Sequence, residues 1–160
     1  MGLTRVNNQA LTDVTSAGIP QHSGAIIQTV TDTSGQNDAI GTSYESLGFN
    51  LSITPSSTSS KILLQLSGGG LLSASGDLKM RIKRNGTVIQ TLSRFQYKSG
   101  TDWTTVNWAF NYMDDPATTS ACVYTIEAHC AAGSDSLRFN NLTTNISETY
   151  ALLMAMEIAG

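Results

Sequence analysis

From Gly24 to the C-terminus, a series of short segments places apolar residues at every second position, and this alternation limits what the chain can become. Leu47, Phe49, Leu51 and Ile53 share one parity. Leu78, Met80 and Ile82 share another, with Lys79, Arg81 and Lys83 between them. Leu152, Met154, Met156 and Ile158 repeat the pattern near the end. Successive side chains of a strand point to opposite faces, so a period of two marks half-buried strands. No stretch of ten residues or more carries a helical period. Strands are predicted at 25–31, 47–53, 61–67, 78–83, 88–92, 103–113, 121–128, 136–139 and 150–158.

The punctuation agrees. Asn85-Gly86 stands between two alternating runs, and a type I′ hairpin turn needs positive φ at both central residues. The cluster 54–60 around Pro55, the loop 34–38 and Asp114-Asp115-Pro116 read as turns. Gly68-Gly69-Gly70 is expected to break the third strand as a loop or bulge. These signals describe an all-β sandwich or barrel.

Residues 1–23 differ. Leu3, Val6, Leu11, Val14 and Ile19 are scattered among polar residues without a period, and Gly18 and Pro20 close the segment. It cannot form its own core, so it is either a frayed tail or an arm that packs on a neighbour. The expected division is an arm at 1–23 and a domain at 24–160.

Composition removes whole classes of function. Apolar residues make up 40% of the 160, enough for a core, and no run of 18 apolar residues spans a membrane. Nine Lys and Arg against 12 Asp and Glu leave a net charge of −3, with no long-range pull toward nucleic acid. Lys79, Arg81, Lys83 and Arg84 form a basic stripe, read as a solvated face or one that meets an acidic partner surface. The N-terminus has no apolar signal-peptide core, so synthesis in a cytoplasm is expected. The sequons at Asn50, Asn85, Asn141 and Asn145 then carry no weight.

No catalytic motif stands up, and no enzyme activity is expected. Gly41-Thr42-Ser43-Tyr44-Glu45 lacks the closing glycine of a nucleophile elbow, and the glycine triplet is not followed by Lys-Ser or Lys-Thr. Cys122 and Cys130, with the distant His22 and His129, make no zinc spacing. Eight residues of strand separate the two cysteines by about 26 Å, beyond the reach of a disulfide, so they read as free thiols. Asp114 and Asp115 could hold a cation with Asp77 or Asp102, but a strand-ending turn is the simpler reading. No cofactor or metal is expected. Trp108, Phe110 and Tyr112 share a face that reads as core rather than as a sugar platform.

Four segments resemble a family of small virion proteins and fibre-tip domains of tailed bacteriophages. They are 51–63 (Leu-Ser-Ile-Thr-Pro-Ser-Ser-Thr-Ser-Ser-Lys-Ile-Leu), Arg84 to Ile89, Met113 to Ser120 with Val123-Tyr124, and Met154 to Ile158. Cys122, Cys130 and residues 1–23 stand outside the resemblance. It implies a jelly-roll sandwich similar to C1q and tumour-necrosis-factor heads, a homotrimer, and no catalytic residues.

Twenty-three residues before the head are too few for a fibre stalk, but extended they reach up to roughly 70 Å, across neighbouring capsid subunits. The expected function is therefore a capsid decoration (cement) protein on the virion exterior, with the major capsid protein as partner and Leu3, Val6, Leu11, Val14 and Ile19 as arm anchors. The alternative is a tail- or head-fibre tip that binds host surface glycans through Tyr97 and Trp103. Neither reading involves nucleic acid or a membrane.

Overall fold

The computed structural model describes residues 22–34, 39–72, 76–98, 102–130, 137–139 and 151–160; the side chains at 39, 76, 93–98 and 137 fall outside that description. The predicted anchors Leu3, Val6, Leu11, Val14 and Ile19 lie outside the described residues. The strands are β1 (Ile26–Ser34), β2 (Ala39–Ile40), β3 (Glu45–Ser46), β4 (Leu51–Ile53), β5 (Lys61–Leu72), β6 (Gly76–Arg84), β7 (Thr87–Lys98), β8 (Thr104–Asp114), β9 (Cys122–Cys130), β10 (Leu137–Phe139) and β11 (Ala151–Ile158).

They form two sheets, antiparallel throughout. One runs β1-β11-β5-β8, with β10 and β2 added beyond the end of β11. The other runs β4-β9-β6-β7, and β3 continues the β4 edge along β9. Numbered in chain order without the short β2, β3 and β10, the eight remaining strands lie as 1-8-3-6 and 2-7-4-5. That order is a jelly roll, the double-sheet arrangement of two Greek keys. The all-β sandwich expected from the alternation is observed, in the jelly-roll form that the resemblance implied.

The core lies between the sheets. Leu64 and Leu66 of β5, Phe110 of β8 and Leu153 of β11 meet Met80 and Ile82 of β6 and Tyr124 and Ile126 of β9. Each such side chain, fully buried, contributes about 1.5–3 kcal/mol. Trp108 and Phe110 are core residues and Tyr112 packs against them, as the shared parity indicated. The hairpin at Asn85-Gly86 forms with φ of 50° and 81°. Cys122 and Cys130 are buried free thiols at opposite ends of β9.

Three local expectations need correction. Gly68-Gly69-Gly70 does not break a strand, because β5 runs on to Leu72 and pairs with β8 along its length. The glycines are there for space. A Cβ on Gly68 would sit 2.6 Å from Trp108 Nε1, and one on Gly70 2.3 Å from the Arg138 carbonyl oxygen. Trp108 thus lies over a strand without side chains, stacked on Phe139 at 5.4 Å. The predicted strand 47–53 is laddered only at Leu51–Ile53. Gly48, at φ 79°, turns the chain there, while Leu47 and Phe49 keep their buried parity. Finally, the bulky parity of β11 faces outward: Ala151, Leu153 and Ala155 enter the core, and Leu152, Met154, Met156 and Ile158 do not.

Candidate functional site

The resemblance-bearing segments, scattered over a hundred residues, converge at one end of the sandwich around two buried carboxylates. Asp114 closes β8 on the inward parity. It accepts hydrogen bonds from Arg84 Nη1 at 2.7 Å and from the Tyr124 hydroxyl at 2.6 Å. Arg84 ends β6 and Tyr124 lies in β9, so one carboxylate clamps the two sheets together. Burial, then the bond to Asp114, pushes the Tyr124 hydroxyl far above its usual pKa. Beside it, Asn85 Oδ1 accepts from the Val123 N–H and the Asn85 N–H donates to the Val123 carbonyl, both at 2.8 Å.

Glu157 of β11 is the second carboxylate. Ser56 donates its N–H and its hydroxyl to Oε1 at 2.7 and 2.6 Å, and Gln28 Nε2 donates to Oε2 at 2.6 Å. Burial raises the Glu157 pKa, but the bonds from Ser56 and Gln28 prevail and hold it below the ordinary value. The Ser-rich turn 54–60 is therefore a cradle for a carboxylate 101 residues away. Ile62 of β5 lies between the two acids, paired with Glu157 on one side and Asp114 on the other.

The described chain also begins and ends here. The Gly24 N–H donates to the Ala159 carbonyl and the Ala159 N–H to the Ala25 carbonyl, each at 2.8 Å. Whatever residues 1–21 hold, they join the sandwich at its braced end.

The far end lies about 35 Å away, the length of the 11-residue β8. Trp103 stands there, 42% exposed, with the Arg138 guanidinium 4.7 Å from its ring centre. Tyr97, its predicted companion, ends close by in β7, but its side chain lies outside the described residues.

The outward faces of the two sheets differ. On β6 and β9 the basic stripe meets an acid of its own chain: Arg81 and Lys83 both bond Glu127, the latter at 3.0 Å. Burial raises the Glu127 pKa, but the bonds from Lys83 and Arg81 hold it below the usual carboxylate value. Arg81 also covers the Tyr44 ring at 4.1 Å, and that ring leans on His129 at 5.2 Å. One Glu127 answers two of the stripe's cations and Asp114 a third, so the stripe keeps a net positive charge.

The outward face of β1-β11-β5-β8 carries an apolar strip along β11, flanked by Thr29, Thr31 and Thr33 of β1 and by Gln65, Ser67, Asn107 and Asn111 of β5 and β8. Ile26, Met113 and Leu152 are 58%, 47% and 36% exposed, and Leu63, Met154, Met156 and Ile158 are half-buried between them. A groove of about 200 Å³ lies where Ser67 and Ala109 leave room beside Leu152 and Met154. Among the described outward positions of β5, β8 and β11, Lys61 is the one charge, paired with Asp115 at 3.5 Å.

The described residues hold no group of three or more metal-ligating side chains. Asp114 and Asp115 do not converge on a cation site with Asp77 or Asp102; Asp114 is taken by Arg84 and Tyr124, and Asp115 by Lys61. Sequence reasoning missed Asp114 and Glu157 as braces. The available signal for Asp114 was an acid on the parity of Val106, Trp108 and Phe110.

No family model and no curated protein matches the chain. Solved structures similar to it include latent dimeric PorU of Porphyromonas gingivalis, at 11% identity and a TM-score of 0.45, with 86% of this chain and 14% of that one covered. The VP2 subviral particle of infectious bursal disease virus matches at 14% identity and 0.46, covering 82% of this chain and 38% of that one. The insecticidal delta-endotoxin Cry8Ea1 of Bacillus thuringiensis matches at 13% and 0.32, covering 76% and 19%. The chain thus spans well under half the length of each, and at these scores no functional conclusion follows.

Proposed function

We propose that this chain is a structural protein of a tailed-bacteriophage virion, a decoration protein that binds the outside of the capsid shell as a homotrimer. The supporting observation is the convergence of the four resemblance-bearing segments. Arg84, Met113 to Asp115 and Tyr124 meet at one carboxylate, and Ser56 meets Glu157 at the other. The matched residues are thus those that hold the jelly roll together, and they belong to a binding scaffold rather than to a reaction centre.

In this reading residues 1–23 are the tether, leaving from the braced end. Leu3, Val6, Leu11, Val14 and Ile19 bury apolar surface against the major capsid protein at about 25 cal/mol per Å². Three tethers on one trimer bind as a unit, so each raises the effective concentration of the others. The test mixes undecorated particles with the full chain and with a chain lacking residues 1–20. The full chain loads onto the shell and the shortened trimer does not. A shortened trimer that loads equally well would overturn the tether.

Exposure of Trp103 at the end opposite the tether favours one second reading, a fibre tip whose distal end meets host glycans. Counting copies on imaged particles separates the two. A number matching the capsid lattice means decoration, and a few copies confined to the tail or to head fibres mean a tip.

A further inference from the structure

We infer that the outward face of β6 and β9 is a docking surface for an acidic stretch of a partner protein, seated on Lys79, Arg81 and Lys83. The inference goes beyond the reading above, which places the contact in residues 1–23.

Geometry is the first ground. β6 pairs with β9 without a break from Leu78 to Arg84, so its outward side chains stand in one row. Same-face residues of a strand recur about every 6.7 Å, and the three cations form a ladder about 13 Å long. An extended partner segment with an acid at every second position repeats at the same interval. The ladder is also set in advance. Glu127 bonds both Arg81 and Lys83, and the Arg81 guanidinium lies 4.1 Å from the centre of the Tyr44 ring. Side chains already held in place lose less freedom when a partner arrives.

Charge is the second ground. Among the described outward positions of β6 and β9, Asp77 and Glu127 are the acids set against the three cations. Lys79 stands opposite His129 and has no ion-pair partner among the described residues. The face is thus positive on a chain whose net charge is −3. An apolar or basic cover would bury Lys79 unpaired, whereas an acidic one supplies its counter-ion. Val88, 42% exposed beside Lys83, adds an apolar contact at the rim.

The face lacks what other polyanions use. Single-stranded nucleic acid is gripped by aromatic rings open to stacking. Tyr44, the described ring here, is covered by Arg81 and leans on His129, so it offers no platform to a base or a sugar ring. An acidic protein segment needs no such platform.

The experiment uses the full chain without particles, so its failure is separate from failure of the tether. Its probe is a labelled peptide alternating Glu and Thr, read by fluorescence anisotropy at low salt. Wild type binds the peptide, and binding weakens as salt is added. Lys79→Glu weakens it about tenfold and Val88→Asp about threefold. Lys61→Glu, on the other sheet, changes it less than about twofold. Each variant keeps the wild-type far-ultraviolet spectrum. No binding by wild type, an equal loss in Lys61→Glu, or equally tight binding of a peptide alternating Gln and Thr would each overturn the inference. Binding of an oligothymidylate or of alginate through Lys79, as tight as that of the acidic peptide, would overturn a protein as the occupant.

Discussion

The two ends of this sandwich are closed by different physics. At one end, Asp114 and Glu157 each collect donors from separate segments and stitch turns and sheets with short polar bonds. At the other, Trp108 lies on bare glycine backbone and stacks on Phe139. The described chain enters and leaves through the stitched end. A tether transmits force to the place where it joins, and a buried, charge-assisted bond has a fixed geometry that apolar contact lacks. Rigidity thus sits where a decoration protein would be anchored, and the exposed Trp103 sits away from it.

The contrast can be broken at either end. Asp114→Ala has the largest expected effect, because it orphans the buried Tyr124 hydroxyl and leaves Arg84 without its partner; a loss of about 3–4 kcal/mol in urea unfolding is expected. Gly70→Val attacks the far end, driving a side chain into the Arg138 carbonyl and the Trp108 ring, and should cost about 2–3 kcal/mol. A Gly70→Val protein as stable as wild type would show that packing there is loose.

Glu157→Gln sharpens the comparison through pH. The folded-state pKa of Glu157 lies below its ordinary value of 4.5, so its contribution is fully present above that value and fades as pH falls through the lower, folded one. Wild-type stability should therefore decline below about pH 4.5, and Glu157→Gln should lose about 1–2 kcal/mol at neutral pH with a shallower acid decline. Equal acid slopes in the two proteins would remove Glu157 as a source. Trp103→Ala has the smallest expected effect, within about 0.5 kcal/mol, since the ring is exposed and its one described partner is a surface cation–π contact. If it also abolished binding to host cells, the fibre-tip reading would gain.

Much of the fold was legible because its signals are local. Alternation at Leu78, Met80 and Ile82, and the Asn85-Gly86 turn, depend on backbone geometry over a few residues. The glycine triplet misled because glycine in isolation signals a break, while here it answers the bulk of Trp108 on the adjacent strand. Asp114 read as part of a turn and Glu157 as a strand residue, since nothing near either one announces a partner.

By itself the sequence determined most of the longer strands, the buried parity of β4, β6, β8 and β9, the principal hairpin and the absence of a recognisable catalytic motif, all set by side-chain period and short-range φ preferences. Only the tertiary structure decided that Ser56 serves Glu157, that Arg84 and Tyr124 share Asp114, and that the bulky side of β11 looks away from the core. Those choices depend on which strands become neighbours, and neighbours in a jelly roll are brought together from distant parts of the chain.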